Sequence, residues 1–144
     1  MKLASIFAAG TLIAAGVAVA QPATEGGRKL NAELTGAAEV PNPGDADGSG
    51  SASVTVNPGQ KRVCYELEVT GIAAATAAHI HEAPAGTAGG VVVTLEAPAD
   101  GDSSGCVEVS RELALEILKR PADYYVNVHN AEFPGGALRG QLGK

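Results

Sequence analysis

The chain has 144 residues, and its 16 acidic and 10 basic side chains give a formal net charge of −6 at pH 7. A chain of this length forms one domain around one core, and an acidic balance argues against nucleic acid, which needs clustered basic residues. Three tyrosines, two phenylalanines and no tryptophan argue against stacking platforms for bases or sugars. The chain has only three histidines, so any metal site built from imidazoles is small.

Residues 1–20 have the pattern of a cleavable secretory signal peptide. Lys2 supplies a positive start, residues 3–19 are mostly apolar, and Ala18-Val19-Ala20 is an A-x-A cleavage site. A membrane anchor is the alternative, but the stretch is barely long enough and is rich in Ala and Gly. Because no second apolar segment follows, we predict no membrane span. We expect a protein that is periplasmic or secreted after cleavage following Ala20, with a flexible tail over residues 21–28.

The remaining part, residues 29–144, is expected to form one domain built from short strands. Alternating apolar and polar residues, separated by Gly and Pro, mark the segments 30–34, 52–56, 63–69, 106–109, 124–129 and 138–142. The apolar run 91–95 predicts a more buried strand. Strands of this length and spacing indicate an all-β antiparallel sandwich or barrel.

One short helix is predicted between Ser110 and Pro121. Ser110 is a suitable N-cap, Glu112 lies in the first turn, and Pro121 ends the segment. Leu113 and Ile117 share one face of this helix.

Cys64 and Cys106 each lie on the polar face of a predicted strand. If the two strands are antiparallel neighbours with the cysteines opposite, Arg62 faces Glu108 and Val63 faces Val107, a register that suits both faces. A thiol metal site or a redox pair is the alternative, but the chain has no Cys-x-x-Cys spacing. In an oxidising compartment we therefore predict a disulfide between Cys64 and Cys106.

The three histidines lie in two motifs, Ala78-His79-Ile80-His81-Glu82 and Asn127-Val128-His129-Asn130. Residues i and i+2 of a strand point to the same side, so His79 and His81 can face one ion, and a neighbouring strand can add His129. Three imidazoles suit a late first-row divalent metal, either copper or zinc with an open position. The alternative is that these histidines are structural and hydrogen-bonded to the sheet.

Four other residues are candidate partners of the metal ligands. The candidates are Glu82, Asn127, Glu132 and Arg139. The run 85–90 is not followed by the Lys-Ser/Thr of a P-loop, so we predict no nucleotide or other organic cofactor.

The motifs together resemble the CHRD domain, which is named after chordin and is common in exported bacterial proteins. The resemblance runs from Leu30 to Leu142. Its motifs are Glu39-Val40-Pro41, Cys64-Tyr65-Glu66-Leu67, Ala78-His79-Ile80-His81, residues 90–95, residues 125–129 and residues 133–142. Ala137 departs from the pattern, since many members carry an acid there that could be a ligand or pair with Arg139. The resemblance implies an all-β domain and little about activity.

The layout is also similar to that of copper–zinc superoxide dismutase, which has an antiparallel Greek-key barrel. That similarity implies copper ligands at His79, His81 and His129, and a steering role for Arg139. The chain has no fourth histidine to bridge two metals. Arg139 has a second possible role, which is to brace the end of the sheet by bonding to carbonyls.

Three functions fit the sequence. The first is an exported domain that binds copper or zinc through the three histidines. The second is a non-catalytic structural or protein-interaction module, whose protein partner the sequence does not identify. The third is an enzyme, either a superoxide-dismutase-like copper protein or a zinc hydrolase with Glu82 as base. We favour the first, in which the metal ion is the partner and catalysis is not required.

Overall fold

Eight strands and one α-helix make up the part of the chain that the computed structural model describes, residues 26–144. The strands are β1 (Arg28–Thr35), β2 (Ser49–Asn57), β3 (Arg62–Thr70), β4 (Ala75–Glu82), β5 (Gly90–Leu95), β6 (Asp102–Glu108), β7 (Tyr124–Asn130) and β8 (Leu138–Gln141). The helix α1 spans Arg111–Lys119, and 3-10 turns span Gly36–Ala38 and Pro121–Asp123. The predicted signal peptide lies outside the described residues, as does the predicted tail up to residue 25.

All neighbouring strands are antiparallel, in the order β5-β4-β7-β8-β1-β2-β3-β6. The two ends of this sheet approach each other, because Ser103 on β6 donates a hydrogen bond of 2.8 Å to the carbonyl of Glu96, just after β5. The hydroxyl of Tyr65 accepts a second bond of 2.8 Å, from the amide of Glu96. The sheet is therefore nearly closed, and the sequence β4-β5-β6-β3 around it is a Greek key. The predicted fold class is confirmed.

The interior is filled by the apolar residues that alternate along the strands. Leu30, Val54, Val63, Ile80 and Val126 are all 0% exposed. Burial of such alternating faces is the main source of stability in a fold of this kind. The sequence pattern therefore identified the inner face of each of these strands.

The strand β5 differs from its prediction. The segment 91–95 was expected to be more buried than the others, but Val91 is 51% exposed and the residues of β5 at its glycine-rich start are open to solvent. The reason is that β5 is the last strand at one end of the sheet, with hydrogen-bonded partners on only one side. A continuous apolar run does not by itself distinguish a central strand from an edge strand.

The helix α1 begins and ends as predicted. The side chain of Ser110 accepts a hydrogen bond of 3.0 Å from the amide of Leu113, and Pro121 begins the 3-10 turn that follows Arg120. Ala114 and Ile117 are 0% exposed, so this face of the helix packs against the sheet at β2.

The predicted disulfide is present. Cys64 lies opposite Cys106 in the β3–β6 pair, and their sulfur atoms are bonded. The same register places Arg62 opposite Glu108 and Val63 opposite Val107, as the sequence indicated. No helix among the described residues is long and apolar enough to cross a membrane.

Candidate metal centre

The outer face of β4, β7 and β8 carries polar side chains that are largely buried. Alternation along β4 places Ala77, His79 and His81 on this face. The register then sets His129 opposite Ala77, Asn127 opposite His79, and Arg139 opposite Asn127. Outer faces of antiparallel sheets are normally open to water. Here both Asn127 and Arg139 are only 2% exposed.

The three predicted histidines come together on this face. Each offers one ring nitrogen to a group whose atoms all lie within 4.8 Å of one another. Nδ1 of His79 is 3.2 Å from Nε2 of His129, and the ring centroids of His79 and His81 are 5.5 Å apart. His81 is 9% exposed, whereas His79 and His129 are half-buried. The cluster is therefore closed on one side and reachable from solvent on the other.

Two backbone carbonyls determine which ring nitrogen of His81 and of His129 is unprotonated. Nδ1 of His81 is 2.9 Å from the carbonyl oxygen of Gly89, and Nδ1 of His129 is 3.0 Å from that of Pro134. A carbonyl can only accept, so both Nδ1 atoms carry the proton and the neutral ring keeps its lone pair on Nε2. Within the described residues, Nε2 of His81 is buried and has no hydrogen-bond partner.

The rings of His79 and His81 favour the neutral form that a metal ligand requires. Burial lowers the pKa of His79 below 6.5, and the neighbouring His129 and His81 lower it further. Burial is also the largest cause of the lowered pKa of His81; the bond to Gly89 opposes it, and His129 and Arg139 add to it. Metal ligation needs unprotonated imidazole, so the lowered pKa values of His79 and His81 would extend the pH range over which these two rings could hold a metal.

The ring of His81 is stacked on Tyr125, and Arg139 is stacked on Tyr125 in turn. The ring of His81 lies parallel to that of Tyr125, with 4.8 Å between centroids and 9° between planes. The guanidinium carbon of Arg139 is 3.5 Å from the centroid of Tyr125. Because β7 lies between β4 and β8, Tyr125 separates the imidazole from the guanidinium. The hydroxyl of Tyr125 accepts a bond of 3.1 Å from the amide of Gly89, whose carbonyl holds His81.

The buried guanidinium of Arg139 is held by a backbone carbonyl and by the side chain of Gln141. Its Nη2 donates to the carbonyl of Pro84 at 2.9 Å and to Oε1 of Gln141 at 2.9 Å. Gln141 in turn donates to the carbonyls of Ala83 and Ala122. These bonds join the end of β8 to the segments that follow β4 and α1. The guanidinium does not face solvent.

Asn127, which lies opposite His79 on β7, is hydrogen-bonded to a buried acid. Its Nδ2 donates to Oε1 of Glu39 and, at 3.2 Å, to the carbonyl of Leu138. Glu39 is 6% exposed, and burial raises the pKa of its carboxyl to about 7, although Arg139, the amide of Val40 and Asn127 act in the opposite direction. A carboxyl group in this setting is partly protonated at neutral pH.

The two candidate glutamates lie elsewhere on the surface. Glu82 is half exposed, and its Oε1 lies 4.0 Å from Nη2 of Arg120. Glu132 is exposed in the loop between β7 and β8. Neither carboxylate belongs to the group of ring nitrogens.

Sequence reasoning did not single out several residues of this site. Glu39 and Tyr125 enter the sequence analysis only as parts of family motifs. The alternation of β7 placed Tyr125 beside the histidines, so its position could have been found. The carbonyls of Gly89 and Pro134 could not, because they belong to loops whose path the pattern does not fix.

The comparison with known families agrees with the motifs. The model of the CHRD domain matches residues 30–142. The chain belongs to the CHRD domain family. Neither the curated proteins nor the solved structures include a match to this chain. The family motifs Glu39-Val40-Pro41, Ala78-His79-Ile80-His81 and the end of β7 therefore meet at one place in this CHRD domain, the buried polar face around the histidines.

Proposed function

We propose that this CHRD domain is exported and binds a late first-row transition metal, copper or zinc, through His79, His81 and His129. The observation that carries the proposal is the convergence of three ring nitrogens within 4.8 Å. All three histidines of the chain are in this group. Imidazole is a preferred ligand of both metals.

The tautomers support the proposal. Carbonyls that accept from Nδ1 of His81 and His129 leave the lone pair of each ring on Nε2, where it is available to a metal. Such carbonyl partners fix ring orientation and raise ligand basicity in metal sites. His79 would contribute Nδ1, which already lies 3.2 Å from Nε2 of His129. Two nitrogens bound to one tetrahedral ion at about 2.0 Å would lie roughly 3.3 Å apart, close to this separation.

A direct binding measurement tests the metal site. We expect metal-free protein to bind copper or zinc in isothermal titration with a stoichiometry of about one, and His129→Ala to lose at least about 100-fold in affinity, since even outer partners of metal ligands are worth 10- to 100-fold. Glu68→Gln, on the exposed side of β3, is the matched control and should bind as the parent does. Equal affinity of parent and His129→Ala would show that the site is wrong.

A structural role is the second candidate, because each histidine already has a hydrogen-bond partner. His79 pairs with His129, and His81 and His129 are held by carbonyls. The two functions differ in one measurement. If the metal binds the folded state, bound metal raises the melting temperature and a chelator reverses this; a purely structural cluster gives no change in either direction.

Export has its own test. The oxidising compartment that residues 1–20 imply is consistent with the bonded pair Cys64–Cys106. We expect mass spectrometry of the protein recovered from the periplasm or medium to give a chain that begins at Gln21. Recovery of the full-length chain from the cytoplasm alone would contradict export.

A further inference from the structure

The histidine cluster contains no negatively charged ligand. Among residues 26–144, the group that could hold a metal consists of three neutral imidazoles, without a carboxylate or thiolate. Glu82 pairs with Arg120 on the surface, and Glu132 lies exposed in a loop. The ligand set therefore supplies no negative charge to offset the charge of a bound ion.

A buried guanidinium near the cluster has the same sign of charge as a metal ion. The guanidinium of Arg139 is 2% exposed and contacts Tyr125, whose ring is stacked on His81. The acid that interacts with this guanidinium is Glu39. Its carboxyl is hydrogen-bonded to Asn127 and is partly protonated at neutral pH. The positive charge next to the cluster is thus only partly neutralised.

A site with neutral ligands and a nearby positive charge discriminates between metal ions by their charge. In a partly desolvated site the repulsion between a metal and a neighbouring cation grows in proportion to the metal charge, so a monovalent ion is favoured over a divalent one. Zinc bound by three histidines keeps an open fourth position, which takes water or hydroxide. Copper is the late first-row metal that also binds imidazole as a monovalent ion.

We propose that the three-histidine cluster is a cuprous site, which binds Cu(I) in preference to Zn(II) and Cu(II). This inference rests on the proposed metal-binding function and adds the identity and oxidation state of the ion. His79, His81 and His129 supply three neutral nitrogens, and Arg139 raises the selectivity for the lower charge. The half-buried edges of His79 and His129 provide the entry path from solvent.

Competition with chromophoric chelators under anaerobic conditions tests the preference. Metal-free protein is titrated against bicinchoninate for Cu(I), and against a chromophoric zinc chelator for Zn(II). Because the ring of Tyr125 lies between the guanidinium of Arg139 and His81, we expect one unit of charge to make Cu(I) bind at least about 10-fold more tightly than Zn(II). Zn(II) affinity equal to or above that for Cu(I) overturns the preference but leaves metal binding intact. Failure to bind either ion overturns both proposals.

A designed carboxylate tests the electrostatic reason. Ala77 is half-buried, faces the same side as His79, and lies opposite His129 across β4 and β7. Such cross-strand positions are about 5 Å apart. Ala77→Asp should raise the affinity for Zn(II) relative to Cu(I) by about 10- to 100-fold. Ala77→Asn, which has the same size without the charge, should leave the ratio unchanged. An equal ratio in both variants would overturn the electrostatic basis.

Discussion

The carboxyl of Glu39 shows, at the scale of one residue, how burial and charge compete in this domain. Burial raises its pKa to about 7, despite the nearby Arg139 and the bond from Asn127. The folded protein therefore holds the proton of Glu39 more tightly than the unfolded chain, in which the carboxyl has a pKa near 4.5. Stability from this group is present at low pH and is lost as pH rises from about 4.5 to 7.

Substitution of this one residue should remove that pH dependence. We expect the stability of Glu39→Gln relative to the parent to rise by about 3 kcal/mol between pH 4.5 and 7.5, since each pKa unit corresponds to about 1.4 kcal/mol. Chemical denaturation of metal-free protein at several pH values measures this. The lowered pKa values of His79 and His81 act in the opposite direction, with stability lost as pH falls below 6.5, but in both proteins.

The control for this measurement is Glu68→Gln, which removes an exposed carboxyl from β3. The same measurement on this variant shows how much of the effect comes from removing any carboxyl group rather than a buried one. A constant difference between the parent and Glu39→Gln over the same range would mean that folding does not raise the pKa of Glu39.

At the scale of elements, α1 is the only α-helix among the described residues, and its ends are encoded locally. The hydroxyl of Ser110 satisfies the amide of Leu113, and Glu112 lies where the helix dipole favours negative charge. Ala114 and Ile117 attach the helix to β2. The burial of β5, in contrast, is not encoded locally. It depends on which strands lie beside β5, and the local sequence does not determine that.

Loss of the N-cap should weaken this element measurably. Ser110→Ala leaves the amide of Leu113 without its side-chain partner and should lower the free energy of unfolding by about 1 kcal/mol. Ser104→Ala, an exposed serine on β6, is the matched control and should change stability by less than about 0.5 kcal/mol. Urea denaturation followed by circular dichroism gives both values. Equal stabilities for the two variants would show that the cap contributes nothing.

At the scale of the whole molecule, the disulfide ties β6 to the strands from which it is separated in sequence. Cys64 and Cys106 are 42 residues apart, and β4 and β5 lie between them in the chain. The bond therefore closes a loop of the chain that contains β4 and β5. A cross-link of this length stabilises mainly by restricting the unfolded chain.

Removal of the disulfide should be the most damaging of these changes. In the chain-entropy model a loop of this length corresponds to about 4 kcal/mol, so the double variant Cys64→Ser, Cys106→Ser should lose about that much in urea denaturation. Treatment of the parent with a thiol reductant is the control and should give a similar loss. A double variant as stable as the oxidised parent would contradict this role.

The sequence by itself determined the strands, the α-helix, the Cys64–Cys106 register and the grouping of the three histidines. These depend on alternation, capping residues and cross-strand complementarity, which are local or pairwise properties. Only the tertiary structure decided that β5 is an exposed end of the sheet and that the outer face of β7 is buried. Loops that are distant in sequence cover this face. They bury Glu39, complete the surroundings of the Arg139–Tyr125–His81 stack, and supply the carbonyls that orient the histidines. The periodicity of a single strand cannot predict such contacts, because they depend on other parts of the chain.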